Sequence, residues 1–191
     1  ATIDSAAPGD TVLLGPGTYT GEGNRDISGR GKSIVIRSES GAETTVIDVE
    51  GLGRGFIFDQ GETRETVLEG VTVTMADGSL SEEGGAVRCR EASVTIRDCR
   101  FRSNGGSAGG AIQFYYSVDP VVDACTLVDN QGSALLSYRS NPEIRGCRVD
   151  SNYAAGGGGG LHIDQFSSAI VESCTFFMND AGQWGGAMNI A

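Results

Sequence analysis

Few residues in this chain have the type and spacing that chemistry needs. The obvious acid pairs are Glu82-Glu83, Asp48 with Glu50, and Asp98 near Asp123. Two carboxylates at a suitable separation can break a glycosidic bond, one as general acid and the other as base or nucleophile. Here Glu82 and Glu83 fall in a polar loop, Asp48 and Glu50 at a strand end, and Asp98 and Asp123 at corners, so all read as solvated turn acids. Nothing resembles a calcium-binding loop or a repeated calcium nonapeptide. His162 is the single histidine, and Asp164 is the nearest acid that could orient it as a general base. It is expected to point outward from its strand, in a column with Arg88, Gln113 and Asn189. There is no Gly-x-Ser-x-Gly elbow. The glycine run at 156–160 lacks the Lys-Ser/Thr that follows a phosphate loop and reads as a turn. The reading assigns no catalytic residue, no metal and no cofactor, and favours binding over catalysis.

The aromatic residues carry more. Tyr115, Tyr116, Tyr138 and Phe166 follow successive glycine-led segments and are expected to gather on one side. Such a group either stacks on sugar rings, anchors a protein partner, or packs a side loop against the body. The five cysteines show no C-x-x-C, and an odd number cannot pair completely within one chain. Four of them, Cys99, Cys125, Cys147 and Cys174, recur at spacings of 26, 22 and 27 residues.

That recurrence organises the chain. Five residues after each cysteine stands an asparagine: Asn104, Asn130, Asn152 and Asn179. Two residues after it stands an apolar residue, Phe101, Leu127, Val149 or Phe176, and three before it a β-branched one, Ile96, Val122, Ile144 or Val171. Val67–Thr74 is the same unit with Val71 in the cysteine position and Ala76 in the asparagine position. A second element, Gly-Gly-Ala, recurs at 84–86, 109–111 and 185–187, with looser copies at 159–163 and 133–138. A period in the twenties built from short β-rich pieces and glycine turns marks a solenoid of stacked coils. Cysteine and the residue two beyond it should face in, while Arg100, Thr126, Arg148 and Thr175 face out. The corner position Arg97, Asp123, Arg145, Glu172 alternates in sign along the stack and should support register. The asparagines should bond their turns and one another as an amide ladder. Stacked cysteines would lie about 4.8 Å apart, within the Cα range of a disulfide but beyond its Cβ range, so they read as buried free thiols.

Bulk properties narrow the class. The 191 residues suit one domain, with 1–20 as cap and entry strands and 33–191 as stacked coils. Thr11–Leu14, 18–20, 33–37, 45–49 and 55–58 read as strands, and 21–32 as a polar glycine-rich loop. A net charge of −11 gives no footprint for nucleic acid and repels polyanions such as pectate. No apolar run is long enough to span a membrane.

The chain resembles the right-handed parallel β-helix superfamily of pectate-lyase-like proteins over residues 7–190. Residues 7–19, Ala-Pro-Gly-Asp-Thr-Val-Leu-Leu-Gly-Pro-Gly-Thr-Tyr, look like the entry segment of its secreted members. Phe101-x-x-Asn104 and Phe176-x-x-Asn179, alternating with Gly-Gly-Ala-Val/Ile/Met, are similar to the repeats of the chlamydial polymorphic outer-membrane proteins, which are surface adhesins. The resemblance implies an all-β, right-handed parallel β-helix of about seven or eight coils. It also implies a secreted or cell-surface module for adhesion or structural assembly, the alternative being a polysaccharide-active enzyme or carbohydrate-binding module. The final segment, residues 185–191, starts a new coil, so the C-terminal end is expected to be uncapped. Met188 and Ile190 would then meet another copy end to end, a partner, or the rest of a longer parent chain. Thiol titration of the unfolded, unreduced protein is expected to find most of the five cysteines free; finding one or none would overturn the free-thiol column.

Overall fold

Alternating short apolar runs, each ended by a residue that leaves the strand, wind the chain into seven coils of parallel strands. The structure, a computed structural model, describes residues 2–78 and 85–191. The first sheet stacks Thr11–Leu14, Val35–Ser38, Val67–Glu69, Thr95–Arg97, Val121–Asp123, Glu143–Arg145 and Ile170–Glu172. The second stacks Gly17–Tyr19, Thr45–Asp48, Thr72–Thr74, Arg100–Arg102, Thr126–Val128, Arg148–Asp150 and Thr175–Phe177. The third holds Ile27–Ser28, Phe56–Phe58, Val87–Arg90, Gly105–Tyr115 and Gln131–Tyr138. In the last two coils it is split into Tyr153–Ala154 with Leu161–Asp164, and Asp180–Ala181 with Met188–Ile190.

Because strand side chains alternate, each sheet sends one column into the lumen. In the first sheet Ile36, Leu68, Ile96, Val122 and Ile144 stand in register, each no more than 2% exposed. Ile47, Val73, Phe101, Leu127 and Val149 stand likewise in register and buried in the second, and Phe56, Val87, Ile112, Leu135 and Leu161 in the third. Burying each such side chain contributes about 1.5–3 kcal/mol, so the lumen is the main source of stability.

The turns are single residues in the left-handed region. Gly70, Asp98, Ala124, Gly146 and Ser173 link the first sheet to the second at φ +50 to +66°. Met75, Ser103, Asp129, Ser151 and Met178 link the second to the third at φ +49 to +55°. The corner therefore differs from the expectation in one respect. Arg97, Asp123, Arg145 and Glu172 are the last residues of their strands, and the left-handed residue follows them. Their alternating signs continue back through Glu69, and Arg97 bonds Glu69 at 2.8 Å while Arg145 bonds Glu172 at 3.2 Å.

The four repeat cysteines stand just before the second-sheet strands. Cys99, Cys125 and Cys147 are buried and Cys174 is half-buried, and none is disulfide-bonded. Each thiol lies 3.5–3.6 Å from a carbonyl oxygen of the preceding coil: Leu68, Ile96, Val122 or Ile144. Cys89, outside this column, is buried in the third sheet opposite Phe58 and Phe114.

The asparagines form a ladder through the second corner. Nδ2 of Asn104 donates to Oδ1 of Asn130 at 3.0 Å, Asn130 to Asn152 at 2.8 Å, and Asn152 to Asn179 at 2.8 Å. Each acceptor oxygen also takes the backbone N–H of the asparagine one coil earlier, at 3.0–3.1 Å. The remaining Nδ2 proton of each goes to a preceding-coil carbonyl: Val73, Phe101, Leu127 or Val149. Asn130 and Asn152 thus use all four of their bonding positions while fully buried. Ala76, in the asparagine position, donates its backbone N–H to Asn104 Oδ1 at 3.0 Å.

Two expectations about the front end change. Thr11–Leu14 and Gly17–Tyr19 pair with the following coil, so the stack begins at Thr11 rather than at residue 33. The 21–32 loop contains a short 3-10 turn, Glu22–Asn24, and a third-sheet strand, Ile27–Ser28, too short to show a pattern. The short helix Thr2–Ser5 covers this end. Lys32 Nζ holds it by donating to the carbonyls of Ile3, Asp4 and Ala6 at 2.9–3.0 Å. In the seventh coil Val171, Cys174, Phe176 and Met188 pack on the core but are only partly buried, and Ile190 is exposed.

Asn130→Ala is expected to cost about 2–4 kcal/mol in urea unfolding, because it leaves buried groups of Asn104, Phe101 and Asn152 without partners. Arg145→Ala, in the exposed charge column, is expected to cost about 1 kcal/mol or less. Equal, mild losses would show that the ladder does not hold the coils.

Candidate functional site

The third sheet differs from the other two because glycine-rich segments lie close to it. Coils approach here without room for side chains: a Cβ on Gly85 would sit 1.8 Å from the Gly110 carbonyl oxygen, and one on Gly159 2.1 Å from that of Asp180. Between these loops and the outward face of the strands the fold leaves space, and the outward columns define what lines it.

The column expected around His162 is present. Arg88, Gln113, Leu136, His162 and Asn189 stand in register, with Leu136 as the member that the sequence pattern did not name. Two residues further along each strand the period of two brings up Arg90, Tyr115, Tyr138 and Asp164, also in register. The chain then turns through the left-handed residues Glu91, Tyr116 and Arg139, at φ +53°, +53° and +48°, and in the next coil through Gln165 and Phe166.

This geometry brings together all four of the aromatic residues singled out above. The Tyr115 and Tyr138 rings lie 5.4 Å apart and tilted, and Tyr116 meets Tyr138 edge-on at 5.7 Å. Arg139 joins them through a guanidinium 5.8 Å from the Tyr116 ring, 5.7 Å from Tyr138 and 5.6 Å from Phe166. Exposed cation–π contacts of this kind contribute about 0.5–1 kcal/mol each. Phe166 is nonetheless 88% exposed. Sequence reasoning missed Arg139, although its position one residue after Tyr138, matching Tyr116 after Tyr115, was available as a signal.

Beside the cluster lies a cavity of about 340 Å³, lined by Tyr115, Tyr138, Leu136, Ser133, His162 and Asp164 together with backbone of residues 154–157. Its loop wall is pinned at one carbonyl. Gly157 O sits 3.0 Å from His162 Nδ1 and accepts the Ser133 hydroxyl at 3.2 Å. Tyr138 donates its hydroxyl to Gln165 at 3.2 Å, and Tyr115 Oη accepts from Gln113 Nε2 at 3.0 Å. Asp164 is the one carboxylate among the lining residues, half-buried, and its side chain has no partner among the described residues.

The acid pairs do not converge. Glu82-Glu83 lies outside the described residues. Asp48 accepts the Glu50 backbone N–H at 3.0 Å, while Glu50 bonds Arg25 and the Gly21 N–H, which hold its carboxyl below the usual range. Asp98 occupies a left-handed corner, where its N–H bonds the Asp123 carbonyl at 3.0 Å. Burial pushes the Cys89 and Cys125 thiols well up and raises Cys174, whereas hydrogen bonding with Cys125 lowers Cys147, which is itself buried in the column. Among the described residues no three His, Cys, Asp or Glu side chains group as metal ligands. A second cavity of about 340 Å³ lies under the N-terminal helix. Its floor is the first-coil lumen, and on its rim Arg25 and Arg30 are engaged by Glu50 and Asp4.

A family model described as the right handed beta helix region matches residues 26–190. No curated protein and no solved structure matches the chain.

Proposed function

The chain belongs to the right-handed β-helix family, and from that premise we propose that it is a non-catalytic binding module of a secreted or cell-surface protein, contacting a glycan through the third sheet. The observation that carries this reading is the aromatic cluster around Arg139, which adjoins a cavity through the shared residue Tyr138. Aromatic faces stack on sugar rings, and cavities of roughly 300–1,000 Å³ with a few polar groups suit small ligands. The cavity lining argues for binding rather than turnover. Among the described residues it offers a single carboxylate, Asp164, where glycoside hydrolysis uses two across the scissile bond, and no lysine or arginine. Adhesion and an extracellular or cell-surface location are carried over from the resemblance of the Phe-x-x-Asn and Gly-Gly-Ala repeats to those of surface adhesins.

Glycan-array screening with a reducing-sugar assay on the hits is expected to show binding without release. Tyr138→Ala should weaken it by about tenfold or more, since loss of a stacking ring costs of the order of 1–3 kcal/mol. Sugar release by the wild type, or binding indifferent to Tyr138, would contradict the reading.

End-to-end assembly is a second reading. Its support is the half-exposed inward column of the seventh coil, with Ile190 72% exposed and Met188 beside it. Light scattering over a concentration series should then show association that Met188→Asp with Ile190→Lys abolishes; a concentration-independent monomer would exclude it.

A further inference from the structure

We infer that the third-sheet cavity selects a protonated amino sugar, with its ammonium group on Asp164 and its ring against Tyr115 and Tyr138. The inference rests on the glycan-binding reading and names the ligand class for the same site.

Three observations lead to it. Asp164 presents a half-buried carboxylate that no described side chain engages, at the wall of a cavity of about 340 Å³. A carboxylate accepts and does not donate, so its preferred partner is a donor, and a charged donor gives the stronger bond. Beside it stand the rings of Tyr115 and Tyr138, and the negative faces of aromatic rings attract cations. Of the other polar groups of the lining, the Ser133 hydroxyl and Nδ1 of His162 both reach the Gly157 carbonyl.

Charge beyond the cavity acts in the same direction. The chain carries a net charge of −11, which draws cationic ligands in and repels acidic ones. Arg139 is engaged elsewhere, its guanidinium lying over the rings of Tyr116, Tyr138 and Phe166. Arg139 does not line the cavity, and neither does Arg88, which pairs with Asp59 at 2.7 Å. A sugar is favoured over a lysine side chain of a protein partner by the shape of the site. It is a concavity flanked by two tilted rings, which accepts a compact ring better than a flexible chain.

The experiment compares three probes by calorimetry at low salt: a glucosamine oligosaccharide with free amines, the same oligosaccharide N-acetylated, and a lysine tripeptide. The free-amine sugar is expected to bind at least about tenfold more tightly than the acetylated one, the scale of a charged hydrogen bond. Asp164→Asn, which keeps the size of the side chain, should remove that preference while leaving the melting temperature unchanged. Tyr138→Ala should weaken both sugars. Equal binding of the two sugars overturns the inference and leaves the glycan reading standing. Equal or tighter binding of the tripeptide overturns the choice of a sugar. Binding of none of the three overturns the inference together with the reading it rests on.

Discussion

A buried amide must find partners for two donors and two acceptor positions, and in this chain another asparagine one coil away supplies half of them. That requirement fixes the stack. An isolated buried asparagine would cost more than it returns, because each unpaired group carries a desolvation penalty. In a column, Asn130 and Asn152 satisfy Asn104 and Asn179 and are satisfied by them. The same oxygen that closes the side-chain ladder also takes a backbone N–H at the left-handed corner, so the ladder ties together the turn and the neighbouring coil. A slip of one residue would face the amides outward and replace them in the lumen with a different set of side chains.

The corner residues themselves are a cost that the ladder helps to offset. Ser103, Asp129 and Ser151 sit at φ +54° without being glycine, a conformation that disfavours a side chain by roughly 1–2 kcal/mol. Such positions persist where the surroundings over-determine them. Here the surroundings are the packed apolar columns on either side and the amide column beneath. The third sheet ends on a serine column instead of an amide one: Ser117 and Ser140 donate their backbone N–H groups to the hydroxyls of Ser140 and Ser167, one coil on, at 2.9 and 3.2 Å. It relies on glycine for close approach, and its loops lie over its outer face, which is why the cavity and the aromatic cluster occur there. The register of the third sheet, stacked on the same coils, places Tyr138 beside Asp164.

The sequence made the lumen legible because its signal repeats. Cys-x-Phe-x-x-Asn and its copies put inward positions, corner and ladder on a common scale, and one alignment exposed them all. What repeats poorly was lost. Ile27–Ser28 is two residues long and has no period to read, so the third strand of the first coil was read as loop. The candidate site was legible in part, since Tyr115, Tyr116, Tyr138 and Phe166 close three successive glycine-led segments. Arg139 escaped because its corner position holds four unlike residues, Glu91, Tyr116, Arg139 and Gln165, and so shows no pattern. Asp164 was read only as an acid near His162, although the column of Arg88, Gln113 and His162 read from the glycine-led pattern carries it, two residues on, into register with Tyr138.

The central claim is that the amide column is a structural spine, and hydrogen exchange of the side-chain amides tests it most directly. The Nδ2 protons of Asn104, Asn130 and Asn152 should exchange as slowly as the backbone amides of the buried strands around them, for instance that of Phe101. Those of Asn141, which is exposed, should exchange at once. Ladder protons that exchange as fast as those of Asn141, in a protein whose strand amides remain protected, would show that the coils are held by the apolar lumen alone.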